Sequence, residues 1–306
     1  MGTLKGQNFR ICIYDSDAEK YKVIGMATNC SVTLTNNVES SSTKDDVGLA
    51  EKPVTTSKSW QVSVDSLNVA DTASMLSAIK AMEPFTLMWD ETSTTDNQSR
   101  VKAAFARKGQ AYLTDATFQF DNRTNAQKSL QFSGTGALST VASSEAVEVI
   151  SAGSYTKGQF VRLFITSDGI SAPSYAIAAA RTLQLHVSLT MEDATTKDTA
   201  NGDWQVQEPT GISYDITSGA LMRSGDTITS QVGAKSLNDL ESIYNNGTPI
   251  NWQITNVSGD NNRTAGTQIV YGMAVLTQLQ LTAQNRSAAE YQATLQGYGN
   301  YTVAAA

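Results

Sequence analysis

The stretch from Gly109 to Gly136 constrains this chain most, because its pattern occurs twice. In the first occurrence an alternating polar/apolar run, Gly109 to Phe120, leads to Asn122-Arg123. A second run through Leu130 and Phe132 then closes on Gly134-Thr135-Gly136. In the second occurrence Gly272 opens the run, Asn285-Arg286 follows, and Gly297-Tyr298-Gly299 closes it. Each landmark recurs 163 residues later without a gap, and Ala111, Leu113 and Thr114 recur as Ala274, Leu276 and Thr277. A gapless register over a whole hairpin reads as a tandem duplication.

The rest of the chain follows the same plan. Lys5-Gly6-Gln7 leads to Arg10 and Ile13, and 152 residues later Lys157-Gly158-Gln159 leads to Arg162 and Ile165. Val32-Thr33-Leu34-Thr35 is answered by Val187-Ser188-Leu189-Thr190, and each runs into a polar segment, Thr43-Lys44-Asp45 or Thr196-Lys197-Asp198. Trp60-Gln61-Val62-Ser63-Val64 is answered by Tyr214-Asp215-Ile216-Thr217-Ser218; both read as half-buried strands. Each half then allows one helix. Asp71 precedes Met75, Leu76, Ile79 and Met82 on one face, with Pro84 as the stop. Ser236 precedes Leu237, Leu240, Ile243 and Tyr244, with Asp239 at the capping-box position and Asn246-Gly247 as the stop. The Ser- and Ala-rich stretch Ser139 to Thr156 marks a boundary near residue 150. Two domains are therefore expected, 1–150 and 151–306, each long enough to bury a core.

The hairpin also carries a change of phase. Apolar residues at Ala111 and Leu113 shift to Ala116, Phe118 and Phe120; those at Ala274 and Leu276 shift to Leu279, Leu281 and Ala283. A slip of one residue turns every side chain to the other face of a strand. A bulge is therefore expected near Thr114-Asp115 and Thr277-Gln278. Beyond it, Thr117, Gln119 and Asp121 in one half and Gln278, Gln280 and Thr282 in the other form a wet face without cations.

Charge excludes one class of function. The net charge is −7 and only 17% of residues are charged, with no basic block to follow a phosphate backbone. Thr, Ser, Val and Gln crowd the alternating runs, which indicates a mainly β chain with a minor helical part, α+β. Cys12 and Cys30 have no counterparts in the second half and are expected as buried free thiols. His186 is the sole histidine, which leaves no two-histidine site. A packing or surface role suits it better than catalysis. Asp15-Ser16-Asp17 reads as a solvated turn, and Gly134-Thr135-Gly136 lacks the following helix of a phosphate loop. Trp60, Trp89, Trp204 and Trp252 fit core packing better than a sugar platform. No catalytic, cofactor or metal site is expected. The opening residues, Met-Gly-Thr-Leu-Lys-Gly-Gln, hold no apolar signal core, and no run suits a membrane helix, so synthesis in the cytoplasm is expected.

The order of parts in each half resembles the major tail tube protein of long-tailed bacteriophages. Val32–Thr35 before a polar loop with Thr43-Lys44-Asp45, Lys58-Ser59-Trp60, the helix at Asp71–Met82, Pro84-Phe85 and the closing Gly134-Thr135-Gly136 carry the resemblance. The second half departs from it with Tyr214 in place of Trp60 and a shorter loop after Leu189. The resemblance implies two tandem tail-tube-like domains, each a β-sandwich or split barrel with one flanking α-helix. It implies no enzyme but a virion subunit, made in the host cytoplasm, whose stacked rings enclose a channel for genomic DNA. A fused pair implies rings of three chains. The implied partners are further copies, tail tip or initiator, tape measure and tail terminator proteins, and DNA that passes without specific binding. Thr43, Lys44, Asp45, Thr196, Lys197 and Asp198 are candidates for contacts between rings. Thr117, Gln119, Asp121, Gln278, Gln280 and Thr282 are candidates for the channel wall. A duplicated β-sandwich binding module, carbohydrate-binding or adhesin-like, is the alternative; it would expect a secretion signal and exposed aromatic residues.

Overall fold

Alternating runs of this length become strands only if each finds a neighbour for its backbone groups, and the chain supplies those neighbours from both halves. A computed structural model describes residues 5–16, 18–42, 45, 51–67, 72–93, 99–142, 145–148, 156–166, 171–197, 203–222, 234–259 and 265–304. The first half holds β1 (Phe9–Asp15), β2 (Lys20–Val23), β3 (Ala27–Ser40), β4 (Pro53–Ser66), helix α1 (Thr72–Ala81), β5 (Phe85–Glu91), β6 (Arg107–Gln119), β7 (Gln127–Thr140) and β8 (Val147–Glu148). The second holds β9 (Val161–Ile165), β10 (Tyr175–Ile177), β11 (Ala180–Asp193), β12 (Gln207–Leu221), β13 (Ala234–Lys235), helix α2 (Leu237–Asn246), β14 (Ile250–Asn256), β15 (Gln268–Thr282) and β16 (Glu290–Val303). The fold is mainly β.

Pairing in the two halves follows one scheme. β3 pairs with β4, β4 with β7 and β7 with β6; likewise β11 pairs with β12, β12 with β16 and β16 with β15. On the far edge of each long hairpin strand, β5 pairs with Arg107–Ala111 of β6, and β14 pairs with Gln268–Ala274 of β15. The bulges fall where the phase of the sequence changes. The register shifts between Leu113 and Asp115 in one hairpin and between Leu276 and Gln278 in the other. At each, the threonine left over bonds across the ladder, Thr114 Oγ1 to the Gln131 carbonyl (3.1 Å) and Thr277 Oγ1 to the Thr294 carbonyl (3.2 Å).

The closing glycines have a steric cause. Trp60 lies flat against β7, and a Cβ on Gly134 would stand 2.1 Å from its ring. The indole N–H donates to the Gly136 carbonyl at 3.2 Å. In the second half a Cβ on Gly297 would stand 2.5 Å from the Tyr214 ring. A large ring on the middle strand therefore requires a bare backbone on its neighbour.

The helices cover the sheet. α2 has the expected capping box between Ser236 and Asp239, and Gly247 ends it in the left-handed region. Asp71, the expected cap of α1, lies outside the described residues. α1 reaches beyond its own half: Tyr301 Oη on β16 donates to the Leu76 carbonyl at 2.7 Å. One cluster of buried side chains runs through both halves, from Trp60, Phe118 and Phe132 to Leu185, Ile216 and Leu295. The halves are fused into one sheet because β6 pairs with β11. Trp60, Trp89 and Trp252 are buried, as core residues should be. Cys12 and Cys30 are free thiols, Cys12 buried as expected and Cys30 only half-buried, and burial pushes the Cys12 thiol up to about 12.

Candidate functional site: the wet face of the central sheet

The β6·β11 pairing gives eight strands one uninterrupted order, β3-β4-β7-β6-β11-β12-β16-β15. β6 changes partner at its bulge. Before it, β5 occupies the edge; after it, Asp115–Gln119 pairs antiparallel with Gln184–Ser188. One side of this sheet is core, with Val62, Leu130, Ala116, Phe118, Leu185, Val187, Ile216 and Leu295 all buried. The other side is wet.

Register fixes what stands there, because side chains at partnered positions share a face. One row runs Asn29, Asp65, Ser129, Thr117, His186, Asp215 and Gln296. The next runs Ser31, Ser63, Gln131, Asp115, Ser188 and Ser213. A third runs Gln119, Gln184, Thr217, Thr294 and Gln278. These rows hold Asp65, Asp115 and Asp215, one histidine and otherwise hydroxyl and amide groups. Lysine and arginine are absent from all three.

The polar groups bond sideways along the face. Ser31 and Ser63 share a hydrogen bond of 2.7 Å, Ser188 and Ser213 one of 2.8 Å, and Ser129 Oγ donates to Asp65 at 2.7 Å. At the β6·β11 joint His186 lies between two carboxylates. Its Nδ1 is 2.8 Å from Asp215 Oδ1 and its Nε2 is 2.7 Å from Asp115 Oδ2. A neutral imidazole donates from only one nitrogen, so both bonds together select the imidazolium. Partial burial pushes the pKa down, but the hydrogen bonds to Asp115 and Asp215 outweigh it and leave the group raised above its ordinary value. His186 ties two halves of one sheet together, which is a structural role. Among the described residues no group of three His, Cys, Asp or Glu side chains is arranged to hold a metal, and no helix is long and apolar enough to cross a membrane.

Thr117 and Gln119 lie half-buried on the wet face, and Gln278, Gln280 and Thr282 lie exposed on its last strand. Asp121 stands just past the end of β6, where it accepts from Gln119 Nε2 at 2.6 Å. Thr43, Lys44 and Asp198 lie outside the described residues. Asp45, Thr196 and Lys197 are exposed. The sequence reading missed Asp65, Asp115, Asp215 and His186 as members of the face. Alternation within each strand marked their side, but only the strand order brings them together. It also missed a crossing strap: the Lys58 N–H donates to the Asp203 carbonyl (2.6 Å), Gln205 N–H to the Lys58 carbonyl (2.9 Å) and Gly136 N–H to the Gln205 carbonyl (2.8 Å).

Among the described residues no strand pairs with Gln278–Thr282 on the side opposite β16, or with β3 on the side opposite β4.

Three solved structures are similar in fold. The tail of an empty gene transfer agent particle is 17% identical over 49% of this chain and 99% of that chain, with a TM-score of 0.38. The virion of a native gene transfer agent particle is 15% identical over 49% of this chain and 99% of that chain, with a TM-score of 0.34. The SPP1 tail tube is 19% identical over 46% of this chain and 75% of that chain, with a TM-score of 0.33. No protein-family model and no curated protein matches the chain.

Proposed function

We propose that this protein is the major subunit of a phage-type tail tube, built from a duplicated tube domain spanning 1–150 and 151–306. The observation that carries this reading is the eight-stranded sheet, whose three polar rows hold no Lys or Arg and whose two edges, among the described residues, pair with no further strand. An open sheet of this length leaves backbone donors and acceptors unpaired, and closure of several sheets into one barrel satisfies them. The wet face then lines the channel. Neutral and weakly negative groups there let a polyanion slide past without being held.

On this reading three chains close a ring and rings stack into a tube in the virion tail. Thr117, Gln119, Gln278, Gln280 and Thr282 face the channel, with Asp121 at its rim. Thr43, Lys44, Asp45, Thr196, Lys197 and Asp198 reach toward the next ring. Tip, tape-measure and terminator proteins start, measure and stop the polymer, and the subunit is made in the host cytoplasm. The role is architectural and calls for no catalysis or cofactor.

Negative-stain electron microscopy of the purified protein at high concentration tests the proposal. Hollow rings or tubes with threefold or pseudo-sixfold end views are expected. Solid aggregates, or monomers that persist in the presence of tail-tip proteins, would count against it.

A further inference from the structure

The wet rows carry no Lys or Arg, yet three arginines of this chain of net charge −7 line one cavity close by. The cavity, about 430 Å³, lies at the end of the β6·β11 joint and draws on both halves. The turn after β6 supplies Arg123, β9 supplies Arg162 and the start of β11 supplies Arg181. Val161, Leu163, Ile177 and Leu183, all buried, give it an apolar floor. Phe120 and Leu183 continue the buried alternation of Phe118 and Leu185, so the cavity lies on the side of the sheet away from the wet rows.

The charge of this cavity is one-sided. Among the described residues no Asp or Glu lines it; Asp121 and Glu290 stand in an adjoining cleft. Arg181 Nη1 donates to Glu290 Oε1 at 2.5 Å, but both side chains are about half exposed and the pair is weak. A guanidinium has five N–H donors, so this bond leaves others for a ligand. Backbone bonds fix the frame. The Phe120 N–H donates to the Leu183 carbonyl and the Asn122 N–H to the Arg181 carbonyl, both at 2.8 Å. On the β9 side the Gly158 N–H donates to the Thr124 carbonyl at 2.9 Å, and a Cβ there would stand 2.4 Å from the Asp121 carbonyl. The arginines are thus carried on a frame set before any ligand arrives, which lowers the cost of binding one.

We propose that this cavity binds a small organic phosphate, one per chain, with the phosphate between Arg123 and Arg181 and a ring-sized body on the apolar floor. Guanidinium forks match phosphate oxygens, and Arg162, half-buried on β9, adds a third positive charge. The volume falls in the range of small-molecule sites, about 300–1,000 Å³. The site is complete within one chain and does not depend on the tube reading. The duplication supplies a control: Asn285-Arg286 repeats Asn122-Arg123, with φ 66° at Arg286 against 65° at Arg123, but does not line this cavity.

Isothermal titration of the full chain with phenyl phosphate, a benzene ring bearing a phosphate monoester, tests the site. One saturable site per chain is expected at low ionic strength. Arg123→Gln combined with Arg181→Gln should weaken binding about tenfold or more, whereas Arg286→Gln should leave it unchanged. Phenol, which lacks the phosphate, and inorganic phosphate, which lacks the ring, should each bind about tenfold more weakly or worse. Arg123→Glu alone keeps the Arg181–Glu290 pair and puts a carboxylate at the cavity. It should abolish binding while the thermal midpoint holds, since Arg123 is exposed. Absence of saturable binding overturns the site. So does equal affinity for phenol or inorganic phosphate, the same loss with Arg286→Gln, or full binding by Arg123→Glu.

Discussion

At the scale of single residues, the sheet is organised by where it omits side chains. Gly134 and Gly297 leave room for the Trp60 and Tyr214 rings, which fill the centre of each half. A methyl on either cannot be absorbed by a flexible chain end, because the atom it meets is a ring wedged in the core. Gly134→Ala and Gly297→Ala are each expected to cost about 2–3 kcal/mol through overpacking. Urea unfolding of the purified variants checks this. Gly134→Ala combined with Trp60→Leu should recover much of the loss, since the collision is then removed.

Among the elements, the β6·β11 joint carries a charged cluster, His186 between Asp115 and Asp215. The sign of its pH dependence follows from His186. Folding raises the imidazole pKa, so its stabilisation is complete below the ordinary value of about 6.5 and is lost as pH rises through the raised one. The partners Asp115 and Asp215 are partly wetted, which limits the effect. His186→Gln should lower the unfolding free energy by on the order of 1 kcal/mol near pH 5.5 and by almost nothing near pH 9. Equal losses at both values, measured by urea denaturation, would show that the imidazolium does not matter. Such elements differed in how legible they were. The hairpins, bulges and α2 cap stood in the sequence because phase, glycine spacing and capping residues act within a few positions. The His186 cluster did not, since Asp215 and Asp115 lie 29 and 71 residues away and meet it only after sheet order is set. Nor did the hold of Tyr301 on α1, 225 residues apart in the chain. The continuity of the buried cluster from one half into the other was hidden for the same reason.

For the whole molecule, three chains contributing eight strands each would close a barrel of ~24 strands. With strands about 4.8 Å apart and tilted about 40°, its backbone diameter is roughly 50 Å, which leaves space for a DNA duplex after side chains are added. The wall should not hold that duplex. Gel retardation at roughly 50 mM salt is expected to show no binding by assembled wild-type protein. Thr117→Lys with Gln280→Lys should convert the wall to one that binds, with affinity falling steeply by roughly 200 mM salt. Retardation by the wild type at the lower salt would place some other surface against DNA.

The β6·β11 joint has a further consequence on this reading. Because it is made within one polypeptide, half of the contacts around a ring form without any encounter between molecules, and only the remaining half depend on concentration. The two kinds of joint also alternate, so the ring repeats every third of a turn rather than every sixth. A cap or tip protein with threefold symmetry can therefore seat on the tube end with every one of its arms in the same surroundings, and no mismatch of symmetry has to be absorbed where tail and tip meet.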